Sequence, residues 1–162
     1  MTHKYAFNDY NKELMARAIG VSLSISTKQS VEVCNAVRGK PVARAKVILE
    51  DAINEVKAIP YRKFNKDIGH KPKIGPGRFP QKTCHAILNI INTAETNAQF
   101  KGLNTNGMIV RHICAHKAST PWHFGRQRGI KMKRTHIEVV LEETKKTESE
   151  KKQKRSVKKV IK

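Results

Sequence analysis

KASTPWHFGRQRGIKMKR, residues 117–134, holds six Lys or Arg, no acid, one Trp and two glycines. How this stretch is read decides the fold, because both flanks read as β-strands. Met108 to His116 alternates with Ile109, Ile113 and Ala115 on one face. Thr135 to Glu142 alternates with Ile137, Val139 and Leu141 inward and His136 and Glu138 outward. Eighteen residues is long for a structureless loop inside a compact domain. The stretch is either a floppy loop or an extended hairpin whose arms, of about nine residues at ~3.4 Å each, reach ~30 Å beyond the body. Its large apolar residues are Trp122, Phe124, Ile130 and Met132, too few for a core of its own. A bare two-stranded ribbon is marginal in water. Such a hairpin needs a partner, and its charge points to RNA. Pro121 and Gly125 bracket the expected turn, which puts the tip near Trp122, His123, Phe124 and Gly125.

Upstream, Ile19, Val21 and Leu23 alternate with Gly20, Ser22 and Ser24, which predicts a third strand with the large residues buried. Residues 1–15 are polar and are expected to be mobile or loosely docked. Ser26 with Gln29 three residues on is a capping-box pattern that opens a helix ended by Gly39. Pro41 suits the first turn of a second helix, whose stripe is Val42, Ala45, Leu49, Ala52, Ile53 and Val56. Residues 60–80 hold four of the six prolines and three glycines, which predicts an irregular segment. Gly75-Pro76-Gly77 lacks the Lys-Ser/Thr of a phosphate loop and reads as a rigid turn presenting Lys71, Lys73 and Arg78. A third helix spans roughly Gln81 to Lys101, with Ile87, Ile90, Ile91, Ala94 and Ala98 buried. The expected fold is α+β: three helices packed on a small antiparallel three-stranded sheet, with a long protruding hairpin over about 108–142. It forms one domain over residues 1–143. Residues 144–162, with nine Lys or Arg and few apolar residues, form a basic tail that does not fold alone.

Of the chain's 162 residues, 33 are basic and 13 acidic, a formal net charge of +20. The excess is uneven. Residues 1–55 carry eight basic and six acidic groups, whereas Thr96 to Ile137 carries eight Lys or Arg, four His and no acid. Val56 to Ala94 has Asp67 alone against eight Lys or Arg. Stripping acid from long stretches serves no solubility need, and it suits phosphate contact. The RNA contacts expected from charge and position are Lys28 and Lys40 at helix ends, Arg62, Lys63, Lys71, Lys73 and Arg78 in the Pro-rich segment, and His116, Lys117, Arg126, Arg128, Lys131, Lys133 and Arg134 in and beside the long stretch. No apolar run approaches the ~18–20 residues that span a bilayer, so no membrane partner is expected, and an intracellular setting is.

Catalysis needs paired acids, a nucleophile with a base, or a metal cluster. Asp67 stands alone among lysines and reads as a local ion-pair partner. Ser119 and Thr120 have His116 and His123 near in sequence but no acid to orient them. His112 and His116 lie on one strand face, ~13 Å apart by strand rise, too far to share an ion. Cys34, Cys84 and Cys114 form no Cys-x-x-Cys; Cys34 and Cys84 read as small core residues. His85 is given no role. No enzyme activity, metal or cofactor is expected, and a free-standing basic regulator lacks a visible dimerising surface.

Residues 16–40 (ARAIGVSLSISTKQSVEVCNAVRGK), 77–103 (GRFPQKTCHAILNIINTAETNAQFKGL), 109–118 (IVRHICAHKA), 124–129 (FGRQRG) and 135–143 (THIEVVLEE), in this order, resemble the large-subunit ribosomal protein L-twenty-two family in its archaeal form. The most specific elements are Asn92-Thr93-Ala94-Glu95-Thr96-Asn97-Ala98, the His116-Lys117 pair, and Gly125-Arg126 ahead of the final strand. The resemblance implies a small α+β domain with a long β-hairpin, placed at the cytoplasmic ribosome's peptide exit tunnel. It implies large-subunit rRNA, neighbouring ribosomal proteins and the nascent polypeptide as partners, a part in subunit assembly, and a hairpin tip (Trp122, His123, Phe124, Gly125) on the tunnel wall. The stretch is some residues shorter than the archaeal pattern.

Overall fold

A computed structural model describes residues 4–143. The basic tail expected over 144–162 lies outside the described residues. In chain order the elements are β1 (Met15–Leu23), α1 (Thr27–Val37), α2 (Val42–Ile53), β2 (Ile59–Pro60), β3 (His70–Lys71), β4 (Gly75–Arg78), α3 (Gln81–Phe100), β5 (Ile109–Lys117) and β6 (Thr135–Glu142). The main sheet is antiparallel in the order β1-β6-β5. One face carries the helices: α3 lies on β1 and β6, α1 on β5, and α2 on α3. The α+β class with three helices on a three-stranded antiparallel sheet follows the reading of the sequence.

The helical periodicity translates directly. Ile87, Ile90, Ile91, Ala94 and Ala98 are the buried stripe of α3, and Val42, Ala45, Leu49 and Ala52 that of α2. Val56, expected on the same stripe, is 68% exposed, because α2 stops at Ile53 and Val56 lies past its end. Ser26 is the N-cap of α1 but caps with its backbone alone; Gln29 instead accepts a hydrogen bond from Thr83 Oγ1. Cys34 and Cys84 are buried in the core. Burial raises the Cys84 thiol to about 12 and pushes Cys34 higher still, so both remain inert thiols.

The strand phases differ from expectation. In β1 it is Ala16, Ala18 and Gly20 that are buried, whereas Val21 is 58% exposed and Ile19 faces the other side, half-buried. The reason is the distance of approach of α3: a Cβ on Gly20 would lie 2.5 Å from Ile90 Cδ1. Small residues let the helix lie close, and a bulge between Gly20 and Leu23, with Ser22 at φ 53°, brings Leu23 back against the core. A second bulge in β5 buries Val110 in place of Ile109 while keeping Ile113 inward. Ile137, Val139 and Leu141 of β6 point into the core as expected, but Glu138, expected outside, is 1% exposed.

Glu138 is covered by residues 4–14, which form a docked strap and not a loose end. Ala6 N–H donates to Glu138 Oε2 (2.9 Å), and the Phe7 ring lies 5.3 Å from His112. Tyr5 and Tyr10 place their rings 4.5 and 4.6 Å from the Arg17 guanidinium. Lys101 donates to Tyr10 Oη (2.5 Å) and to the Met15 carbonyl (3.0 Å). Polar strap residues thus supply partners to groups on the outer sheet face that burial would otherwise penalise.

Residues 60–80, expected to lack regular structure, build a second small antiparallel sheet, β2-β4-β3. Gly75-Pro76-Gly77 is its central strand and not a turn. Proline is tolerated because the strands are only two to four residues long. Gly77 sits close to its neighbour there, since a Cβ would lie 3.3 Å from the Ile59 carbonyl oxygen, which would have to give by a few tenths of an ångström.

The ladder between β5 and β6 ends at Lys117–Thr135. The expected strand arms across 118–134 are absent. Ala118, Pro121, Trp122 and His123 still face Arg134, Met132, Lys131 and Ile130 through isolated contacts, and a 3-10 turn covers Gly125–Gln127. Pro121 lacks a donor, the glycines weaken pairing, and among the described residues no second layer covers the ribbon, so the ladder does not propagate.

Candidate nucleic-acid interface

The site begins with a buried acid. Glu32 sits on the inward face of α1, 1% exposed. Its carboxylate accepts main-chain N–H groups from three consecutive residues: Arg62 (3.1 Å, Oε2), Lys63 (2.8 Å, Oε1) and Phe64 (2.7 Å, Oε1). That fixes the loop after β2 beside the first turn of α1. Lys28 Nζ (5.9 Å) and Lys63 Nζ (5.8 Å) both lie over the Phe64 ring.

These elements wall a concavity of about 380 Å³ into which Lys28, Lys63, Lys66, Arg78 and Lys133 project. A second, of about 600 Å³, shares Lys28, Phe64 and Lys133 with it and adds Lys117, Lys131 and Arg134. Among the described residues no Asp or Glu lines either one. The result is one cationic groove running from the second sheet, past the N-terminal turn of α1, to the base of the 118–134 arms. The N-terminus of α1 adds unsatisfied N–H groups and the positive end of its dipole. Tyr61 lines the groove from below; burial raises its hydroxyl to about 12, so it stays protonated. A larger concavity of about 680 Å³, between α3 and the end of β1, is mainly apolar, with Lys82 as its charged residue beside His85. Its chemistry does not select an anion.

Seven of the residues expected from sequence meet in this groove: Lys28, Lys63, Arg78, Lys117, Lys131, Lys133 and Arg134. Arg62 is exposed on the same loop. Lys71 ends β3 and Lys73 lies in the β3–β4 turn, with Lys71 Nζ 5.5 Å from the Phe79 ring. Arg78 also reaches the main-chain carbonyl of Asp67 (3.2 Å), so the contact expected of Asp67 runs through its backbone. Lys40 is at the far end of α1, where its carbonyl accepts from Val110 N–H (2.9 Å). His116 is on the outer sheet face, 3.4 Å from Glu138 Oε1. Arg126 and Arg128 are exposed at the distal end of the arms.

Trp122, His123, Phe124 and Gly125 do cluster at that end, around an open concavity of about 560 Å³ that also takes in Arg128. Trp122 is 59% exposed, with Lys131 Nζ 4.4 Å from its ring. His123 stacks on Phe124 at 5.3 Å. Gly125 has φ 69°, a conformation that favours glycine.

Sequence reasoning missed Phe64, Lys66 and Glu32. The first two had a signal, an aromatic inside the basic run YRKFNK. Glu32 had none, because its partners are backbone amides thirty residues away. Among the described residues no group of three or more His, Cys, Asp or Glu is arranged to hold a metal ion, and no helix is long and apolar enough to cross a membrane.

Comparison with known proteins bears on what this groove meets. A family model described as Ribosomal protein L22p/L17e matches residues 18–142. Large ribosomal subunit protein uL22 of Methanopyrus kandleri is 40% identical over 144 residues, covering 83% of this chain and 91% of that protein. The uL22 of Thermoplasma acidophilum is 37% identical over 124 residues, 74% and 82% of the two chains. That of Archaeoglobus fulgidus is 33% identical over 146 residues, 85% and 94%.

Proposed function

The chain belongs to the ribosomal protein L22p/L17e family, structural and non-enzymatic components of the large ribosomal subunit, and from that premise we propose that it binds large-subunit rRNA through the acid-free groove and lines the peptide exit tunnel with the end of its 118–134 arms. The observation that carries the reading is the groove itself: three segments distant in sequence bring eight cationic side chains to one surface without an acid among them. Neutralising phosphates with Lys and Arg releases counterions, which is the main source of affinity for RNA at a surface built this way. Phe64 and Trp122 offer faces on which unpaired bases can stack. The arms have no core of their own, so rRNA supplies the second layer they lack. On this reading the domain over residues 1–143 seats on rRNA and on neighbouring large-subunit proteins during subunit assembly. The tail over 144–162 adds electrostatic contact, and Trp122, His123 and Phe124 face the nascent polypeptide.

The test is binding of the full chain to isolated large-subunit rRNA across a salt series. Affinity is expected to fall steeply with salt, and Lys63→Glu with Lys133→Glu to weaken it at least tenfold. Arg126→Glu with Arg128→Glu is expected to weaken it more than Lys158→Glu with Lys159→Glu. Salt-independent binding, or groove reversals without effect, would defeat the reading. Cross-linking from position 122 to a stalled nascent chain tests the tunnel assignment.

A further inference from the structure

We infer that Glu32 is a positioning residue for the RNA groove, a buried anion that holds the 62–64 main chain so that its cations and Phe64 face the ligand; this rests on the groove's being the rRNA surface. The rest of α1's buried face is apolar or small: Val33, Cys34, Val37 and Ser30. An acid there is costly unless fully hydrogen-bonded. Glu32 meets that condition by taking three N–H groups from one loop, and bonds to a charged acceptor are the stronger kind. Tyr61 N–H is held by the Pro76 carbonyl (2.9 Å), so the second sheet secures the start of the loop. From Arg62 to Phe64 the amides turn to Glu32 instead.

The loop it holds carries Arg62, Lys63 and Lys66 within five residues. Side chains of one sign crowded on a short loop repel one another and favour open conformations. A carboxylate directly beneath their backbone opposes that before any RNA arrives, while remaining shielded from the phosphates by the loop itself. The groove therefore keeps an acid-free lining and still has a counter-charge. Preorganisation of this sort raises affinity by removing the loop's ordering cost from the binding step. A neutral Gln cannot reproduce it: its amide offers one acceptor oxygen, and its NH2 would meet the N–H of Arg62.

The experiment compares the wild type, E32Q and K63E as full chains, at a temperature where circular dichroism shows each to be folded. Two quantities are read: amide hydrogen exchange at residues 62–64, and affinity for large-subunit rRNA as a function of salt. In the wild type, amides 62–64 are expected to exchange far more slowly than those of the exposed 126–129 stretch. In E32Q they are expected to speed up, with rRNA affinity falling about tenfold and the salt slope shrinking by roughly one phosphate contact, about 0.7–0.9. A carboxylate that merely satisfies the core would lower thermal stability but leave affinity and slope untouched, and that result overturns the proposal. Fast exchange at 62–64 in the wild type overturns it too, whether or not E32Q folds. If K63E binds like the wild type, the groove reading itself fails; if K63E weakens binding and E32Q does not, only the role of Glu32 falls.

Discussion

Residues 4–14 and 118–134 both run without a strand or α-helix, yet they are held in opposite ways. The strap is tied across its length to the sheet beneath it: Ala6 to Glu138, Phe7 to His112, Tyr5 and Tyr10 to Arg17, Tyr10 to Lys101. Its partners belong to the folded body. The arms hold chiefly to each other, through single contacts such as His123 N–H to the Ile130 carbonyl (2.7 Å) and Met132 N–H to the Pro121 carbonyl (2.8 Å). Their large apolar side chains stay out, with Trp122, Phe124 and Ile130 all more than half exposed. Irregular backbone is therefore no guide to how firmly a segment is fixed. What decides is whether its polar and apolar groups find partners inside the chain or await them outside it.

The sharpest way to break this contrast is to remove each segment in turn. Deleting residues 1–11 takes away the bond to Glu138, worth about 1.5–3 kcal/mol as one to a charged group. It also removes three cation–π contacts, Tyr5 and Tyr10 with Arg17 and Tyr10 with Lys101, of roughly 0.5–1 kcal/mol each. Together these come to about 3–6 kcal/mol, and the melting temperature is expected to fall by at least about 10 °C. Replacing residues 119–133 by a two-residue Asn-Gly turn is expected to move it by less than about 3 °C. Thermal melts of both variants give the answer, and equal shifts would erase the distinction.

A smaller effect lies under the strap. His112 has its pKa lowered from 6.5, first by burial, then by Arg38 and His116, with Glu138 opposing. The folded state thus keeps the ring neutral where the unfolded chain would protonate it. The stability this contributes is intact above pH 6.5 and is lost as pH falls below 6.5 toward the lowered folded value. His112→Gln is therefore expected to flatten the decline in denaturation midpoint between pH 7 and 5. An unchanged pH slope in this variant would mean that Phe7 does not shield the ring in solution.

Much of this was legible in the sequence, and the failures share a cause. The stripes of α2 and α3, the strands flanking residues 118–134 and the concentration of cations could be read because they are local. The buried phase of β1 could not, because both phases hold apolar residues and the choice depends on how near α3 comes to Gly20. Glu138 read as a surface acid and Glu32 drew no reading, since what buries them, the strap and the 62–64 loop, lies more than a hundred and about thirty residues away. The arms erred the other way: two strands joined by a charged stretch suggest a continuous ladder, but pairing stops where no second layer supports it. For the groove, sequence named most of the cations but not the acid beneath them.

The smallest expected effect is also the most direct probe of the arms. Trp122 is the chain's single tryptophan, so its fluorescence reports the arms alone. With the ring more than half exposed and lying against Lys131, the free protein is expected to emit like an exposed indole and to be readily quenched by iodide. Trp122→Ala is expected to change stability by no more than about 0.5 kcal/mol, the usual range for a surface position, because the ring covers little of the body. If rRNA supplies the missing second layer, adding it to the wild type should shield the indole from iodide, and the strap truncation should leave that shielding intact wherever the protein is folded. A blue-shifted, unquenchable indole in the free protein would mean the arms already carry a core of their own. They would then belong with the strap, and the difference between the two segments would be one of degree.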